Sequence, residues 1–147
     1  MVDLDMHILI VDDSPLLRKV HGDLLKSLGF KKITEADDGK PALEKMLVAD
    51  SEGKPINLVL LDSNMPKIEG ITVIKTMRKL PQLKMTPVIM VTADPDKETV
   101  IKLIQAGVNG YVVKPLTKES LLTNIEKILG GTKAPVKNVA PAKAASS

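Results

Sequence analysis

The chain has 147 residues, 44% of them hydrophobic and 27% charged, the size and balance of one globular domain. One Tyr, one Phe and no Trp exclude aromatic stacking of bases, and the lack of Cys excludes a disulfide framework and thiol chemistry. The net charge of +3 resides in the last 17 residues, where Lys133, Lys137 and Lys143 have no acidic neighbour, and residues 1–130 hold 18 basic and 18 acidic residues.

The chain opens on MVDLDMHILIVDD, acidic where a secretory signal would be basic. No apolar run approaches the ~20 residues of a membrane helix, so the chain is read as cytoplasmic. The first apolar run, HILIV at 7–11, is nearly continuous, as in a strand buried on both faces of a parallel sheet. A helix is expected over 15–28, where Leu16, Val20, Leu24 and Leu28 repeat every four residues and Gly29 stops the run. Ser14 suits its N-cap and Pro15 its first position.

KKITEA at 31–36 is more polar, as edge strands tend to be, and a helix is expected over 40–49. NLVLL (57–61) and PVIMV (87–91) again read as buried strands, separated by a helical pattern over 70–80 that closes before Pro81. A further helix is expected over 96–106, a second edge strand at GYVV (110–113), and a last helix over 118–129. Ile101 falls off the Val100, Leu103 and Ile104 stripe, which makes it either an exposed apolar contact or a residue buried by sheet curvature. The segment 131–147, rich in Ala, Pro, Lys and Ser, is expected to be a disordered tail on a domain spanning 1–130.

Five alternating β and α segments imply right-handed crossovers and a doubly wound α/β sheet. Five strands suit the flavodoxin-like (βα)5 arrangement with parallel order 2-1-3-4-5. Ligands then bind at the carboxyl ends of the strands, near the switch point between strands 1 and 3. Strand 1 leads into Asp12–Asp13, strand 3 into Asp62, strand 4 into Thr92 and strand 5 into Lys114–Pro115. Three carboxylates, a hydroxyl and an ammonium therefore meet at one edge of the sheet. Clustered carboxylates repel one another, and a hard divalent cation such as Mg²⁺ relieves the conflict. A carboxylate so placed suits attack on a phosphoryl group, with Lys114 and Thr92 as the residue types that hold phosphoryl oxygens.

The stretches ILIVDDS (8–14), LVLLDSNMP with Gly70 (58–70), VIMVTAD (88–94) and QAGVNGYVVKPLT (105–117) resemble the response-regulator receiver domains of two-component systems, most of all the CheY-like single-domain type. The resemblance spans about residues 5–130. It implies Asp62 as phosphoacceptor and Asp12 and Asp13, with Asp62 and the main-chain carbonyl of Asn64, as ligands of Mg²⁺ or Mn²⁺. It implies Thr92 as a switch hydroxyl, Lys114 as the cation that pairs with the phosphoryl group, Tyr111 as a rotamer switch, and a cis bond before Pro115. The implied phosphodonor is a histidine kinase or phosphotransfer protein. The implied output is a target protein read on the surface formed by 96–106, 110–113 and 118–129, with no nucleic-acid or membrane partner. On this reading the chain is not an enzyme beyond its own phosphorylation and dephosphorylation.

Blander roles remain for single residues: helix-end acids for Asp12–Asp13, a turn for Asp62, a surface lysine for Lys114, a strand-end cap for Thr92, edge packing for Tyr111. His7 and His21 lack metal-ligand spacing and are expected to be surface or partly buried residues rather than ligands. A phosphorelay shuttle, or a receiver piece of a larger regulator, fits the same residues. A haloacid-dehalogenase-type phosphatase fits less well, because Asp62 is followed by Ser63–Asn64 rather than an Asp two residues on, and the chain has no room for a large cap.

Overall fold

The structure, a computed structural model, describes residues 4–62, 70–93 and 96–129. Five strands, β1 (His7–Val11), β2 (Lys32–Ala36), β3 (Leu58–Asp62), β4 (Val88–Thr92) and β5 (Gly110–Val113), alternate with five helices. The helices are α1 (Pro15–Ser27), α2 (Gly39–Ser51), α3 (Gly70–Lys79), α4 (Lys97–Ala106) and α5 (Lys118–Leu129). All strand pairs are parallel and the order is β2-β1-β3-β4-β5, as expected from the sequence.

The apolar runs are continuous because alternate side chains enter two different cores. Leu9 and Val11 of β1 join Val59 and Leu61 of β3 and Met90 of β4, packed against Met46 of α2, Ile74 and Met77 of α3 and Leu103 of α4. Ile8, Ile10, Leu58, Leu60 and Ile89 face the other way, against Leu25 of α1 and Leu121 and Ile125 of α5. The polar run β2 and the short run β5 form the two edges.

Two boundaries move by one residue in a way that matters. β3 runs from Leu58 to Asp62 and β4 from Val88 to Thr92, so Asp62 and Thr92 are the last residues of their strands rather than the first beyond them. Their backbones are held by ladder pairing, Asp62 opposite Val91 and Thr92 opposite Val113.

The expected inward face of α1 is corrected. Leu16 is 70% exposed and Val20 43% exposed, whereas His21, Gly22 and Leu25 are buried. Leu24 and Leu28 serve both stripes, being only partly buried against the α1/α5 core. The spacing of four residues described a real apolar row, but the helix meets the sheet about one residue further round. Ser14 caps α1 by accepting from the Leu17 N–H at 3.2 Å, with Pro15 in the first turn. Gly29 follows at φ +108°, a left-handed conformation that ends the helix.

Arg78, read in the sequence only as part of the α3 pattern, binds five acceptors across the far end of the sheet. Its guanidinium donates to the main-chain oxygens of Leu83, Lys84, Thr86 and Gly107 and to Asn109 Oδ1. The same Asn109 oxygen accepts from the Val88 N–H at 2.9 Å. This network ties the end of α3 to the start of β4 and to the α4–β5 turn. His7 is also structural: its ring pairs with the Lys54 main-chain oxygen at 3.1 Å and with Thr34 Oγ1 at 2.7 Å. Among the described residues no helix is long and apolar enough to cross a membrane.

Candidate functional site

The carboxyl ends of β1 and β3 lie side by side because those strands pair directly. That adjacency brings Asp12, Asp13 and Asp62 together, with one carboxylate oxygen of each inside a 4.8 Å cluster. Asp12 is 2% exposed and Asp62 4%, while Asp13 faces solvent. None of them lies in the first turn of α1, so the pair Asp12–Asp13 is not explained as helix-end acids.

Asp12 is fixed from several directions. Its N–H donates to the Ala36 oxygen at 3.1 Å, and its Oδ1 accepts from the Ser14 N–H at 2.9 Å. Its other carboxylate oxygen, Oδ2, is buried without a hydrogen-bond partner. A buried orphan of this kind demands a reason. Burial pushes the Asp12 carboxyl above the usual range, and Asp62 and Asp13 push the same way, against the Ser14 hydrogen bond and the Lys114 charge. A hard cation among three carboxylates meets both the orphaned oxygen and the repulsion.

Lys114 reaches back from the end of β5 and places Nζ 3.1 Å from Asp62 Oδ1. Its backbone is locked as well, the N–H donating to the Thr92 oxygen at 2.8 Å, and the following bond to Pro115 is cis. Lys114 is therefore no free surface lysine. Thr92 is 3% exposed at the end of β4. Tyr111 is half-buried on β5, packed against the α2/α3/α4 core and opposite Met90 in the β4–β5 register. Met90 and Thr92 are two apart on β4, which puts Thr92 on the same side of the sheet as the Tyr111 packing. Asn64 lies outside the described residues, as does the tail 131–147.

Gly70 shows how closely α3 approaches the site. A Cβ there would lie 2.9 Å from the main-chain oxygen of Asp62, so only glycine lets the helix begin against that carbonyl.

One residue has no signal in the sequence, Arg18, and one is more buried than the sequence suggests, His21. Arg18 donates from Nη1 to the main-chain oxygen of Asp12 at 2.6 Å and from Nε to Glu35 Oε1 at 3.0 Å. His21 is 4% exposed on the inward face of α1. Burial lowers its pKa, the Lys114 charge adds to the effect, and Asp62 opposes it. His21 is buried rather than at the surface because α1 meets the sheet through His21, Gly22 and Leu25 and not through Leu16 and Val20. For Arg18 no local signal exists, because its acceptors lie on the backbone of Asp12 and on another strand. On the α4 and β5 side, Ile101 is 47% exposed and Val113 41%, so Ile101 is an outward apolar residue and not a buried one.

Comparison with known proteins gives a consistent picture. The family described as the response regulator receiver domain matches residues 8–126. Chemotaxis protein CheY-3 of Vibrio cholerae is 41% identical over 128 residues, 87% of this chain and 95% of that protein. Chemotaxis protein CheY of Pseudomonas aeruginosa is 43% identical over 123 residues, 84% of this chain and 95% of that protein. Among solved structures, chemotaxis response regulator CheY4 of Vibrio cholerae matches with a TM-score of 0.74 at 30% identity, over 85% of this chain and 99% of that one. The receiver domain of a sensor histidine kinase from Pseudomonas aeruginosa, solved with a magnesium ion in its active site cleft, matches with a TM-score of 0.73 at 25% identity, over 86% of this chain and 99% of that one.

Proposed function

This chain belongs to the response regulator receiver domain family, and on that premise we propose that it accepts a phosphoryl group on Asp62 and passes the resulting change to a partner protein. The observation that carries the reading is the buried, orphaned Oδ2 of Asp12, a residue of a three-carboxylate cluster whose third member, Asp62, already holds the Lys114 ammonium. Asp12, Asp13, Asp62 and the main-chain carbonyl of Asn64 would hold Mg²⁺ or Mn²⁺, a reading supported by the magnesium ion coordinated in the active site cleft of the related kinase receiver domain. The cation supplies positive charge against the carboxylates and the phosphoryl oxygens.

In the transfer, an Asp62 carboxylate oxygen attacks the phosphorus of a phosphohistidine. A P–O bond forms, the P–N bond breaks, and the imidazole nitrogen leaves with the electron pair to be protonated by solvent. Lys114 moves with its charge from the carboxylate to the new phosphoryl oxygens, a displacement of short range because Nζ starts 3.1 Å from Asp62. The donor on this reading is a histidine kinase or phosphotransfer protein. The chain turns over no separate substrate.

The signal leaves through β4 and β5. About two negative charges arrive beside Thr92 and Lys114. Thr92 turns to hydrogen-bond them, and the space it vacates lies on the sheet side where Tyr111 packs. The surface of α4, β5 and α5, with Ile101 and Val113 outward, is then read by the partner. A conformational response needs contacts that differ between two states, and the Thr92 and Lys114 donors provide them.

The test is labelling with acetyl phosphate and Mg²⁺, mapped by mass spectrometry, together with amide shifts on adding beryllofluoride. Label is expected on Asp62 alone, and the shifts on α4 and β5 are expected to vanish in Thr92→Ala. Label that persists in Asp62→Ala refutes the reading.

A further inference from the structure

We propose that Arg18 is a positioning residue that aims the orphaned oxygen of Asp12 at the metal, an inference that rests on reading the acidic cluster as a metal site. Arg18 is the fourth residue of α1, and its side chain is 16% exposed. Nη1 donates to the Asp12 main-chain oxygen at 2.6 Å, and Nε donates to Glu35 Oε1 at 3.0 Å. Glu35 is itself anchored, its main-chain oxygen accepting from Lys45 of α2. One guanidinium therefore bridges the residue after β1 to a side chain of β2.

The consequence falls on one atom. The Asp12 N–H is taken by Ala36, its main-chain oxygen by Arg18, and Oδ1 by the Ser14 N–H. Only Oδ2 is left, and it belongs to the residue that clusters with Asp13 and Asp62. With the backbone on both sides of Cα held and Oδ1 pinned by the Ser14 N–H, Oδ2 is the one polar atom of Asp12 left for a cation. Groups that orient a ligand in this way commonly change metal affinity by about 10–100-fold when removed.

Coulomb's law predicts the opposite sign. A guanidinium close to a divalent cation repels it, so a purely electrostatic role for Arg18 means that removing the charge tightens metal binding. The positioning role means that removing it weakens binding. The sign of the change decides between them.

The experiment titrates Mg²⁺ alone into the full chain and follows amide shifts for wild type, Arg18→Met, Arg18→Lys and the control Lys19→Met. Lys19 carries the same charge on the same helix with a side chain 75% exposed. Arg18→Met is expected to weaken Mg²⁺ binding about ten-fold. It is also expected to speed exchange of the Ser14 amide in the metal-free protein, a readout of Asp12 orientation that a general loss of stability would spread over the whole of α1. Arg18→Lys keeps the charge and the fold but not the two-pronged reach, and is expected to weaken binding as well. Lys19→Met is expected to leave affinity unchanged or slightly tighter. Unchanged or tighter binding in either Arg18 variant, with wild type binding, overturns this inference alone. A wild type without Mg²⁺-dependent shifts near Asp12, Asp13 and Asp62 overturns the metal reading and this inference with it.

Discussion

Lys114 Nζ lies 3.1 Å from Asp62 Oδ1, although 52 residues separate them in the chain. The contact joins the end of β5 to the end of β3 across the intervening β4. It places a cation against the one carboxylate of the site that is both buried and at the end of a central strand. Lys114→Met is expected to destabilise the metal-free protein by about 1–3 kcal/mol, since a charged hydrogen bond to a buried carboxylate is lost. It is also expected to lower the yield of acetyl-phosphate labelling on Asp62. Denaturant melts and mass spectrometry measure the two effects, and full labelling at unchanged stability would contradict the assignment.

Asp12 should respond with opposite signs to the presence of metal. Its pKa is raised in the fold, chiefly by burial, so the folded state holds that proton to higher pH than the unfolded chain does. Stability of the metal-free protein therefore falls as pH rises from the ordinary carboxylate value of 3.8 through the raised folded-state value. Asp12→Asn removes the buried charge and is expected to raise the metal-free Tm at pH 7 by about 2–8 °C for each kcal/mol recovered. The same substitution is expected to abolish the rise in Tm that Mg²⁺ gives wild type. Thermal scans with Mg²⁺ and with chelator separate the two; a metal-free Tm that falls would refute the account.

His21 makes the protein sensitive to mild acid. Its folded-state pKa is depressed below 6.5, so above that value the group contributes nothing to the pH dependence. As pH falls below 6.5 the unfolded chain takes up a proton that the fold resists, and stability declines until the folded-state pKa is passed. Urea midpoints between pH 7.5 and 5 are expected to fall in wild type and to flatten in His21→Val. An equal slope in the variant would assign the effect to other groups.

The two apolar rows of α1 make a direct comparison. Leu16→Ser and Val20→Ser lie on exposed positions and are expected to change stability by no more than about 0.5 kcal/mol. Leu25→Ala, fully buried, is expected to cost about 2–5 kcal/mol. Equal losses in the three variants would mean that the outer row is covered in solution.

Much of this architecture is legible in the amino-acid order. Runs such as ILIV at 8–11 and LVLL at 58–61 are apolar without alternation, and only a sheet covered on both faces has use for that pattern. With the βα alternation it leads to parallel pairing, and the polarity of 31–36 and the shortness of 110–113 suit those strands to the edges they occupy. Asp12, Asp13, Asp62, Thr92 and Lys114 follow, because each ends or adjoins a strand and parallel strands bring such ends to one side.

What local pattern leaves open, only tertiary contacts decided. In α1 the rows through Leu16–Val20 and through His21–Leu25 overlap at Leu24 and Leu28, so periodicity alone does not say which row meets the sheet. The approach of β1 and of α5 selects the second, and with it buries His21. The role of Arg18 leaves no trace in the residues around it, because its acceptors are a main-chain oxygen of Asp12 and a side chain on β2. The same holds for Arg78, four of whose five acceptors are main-chain oxygens. Every residue type offers the same carbonyl, so a hydrogen bond to the backbone is written in the path of the chain through space and not in the identity of the residue that accepts it.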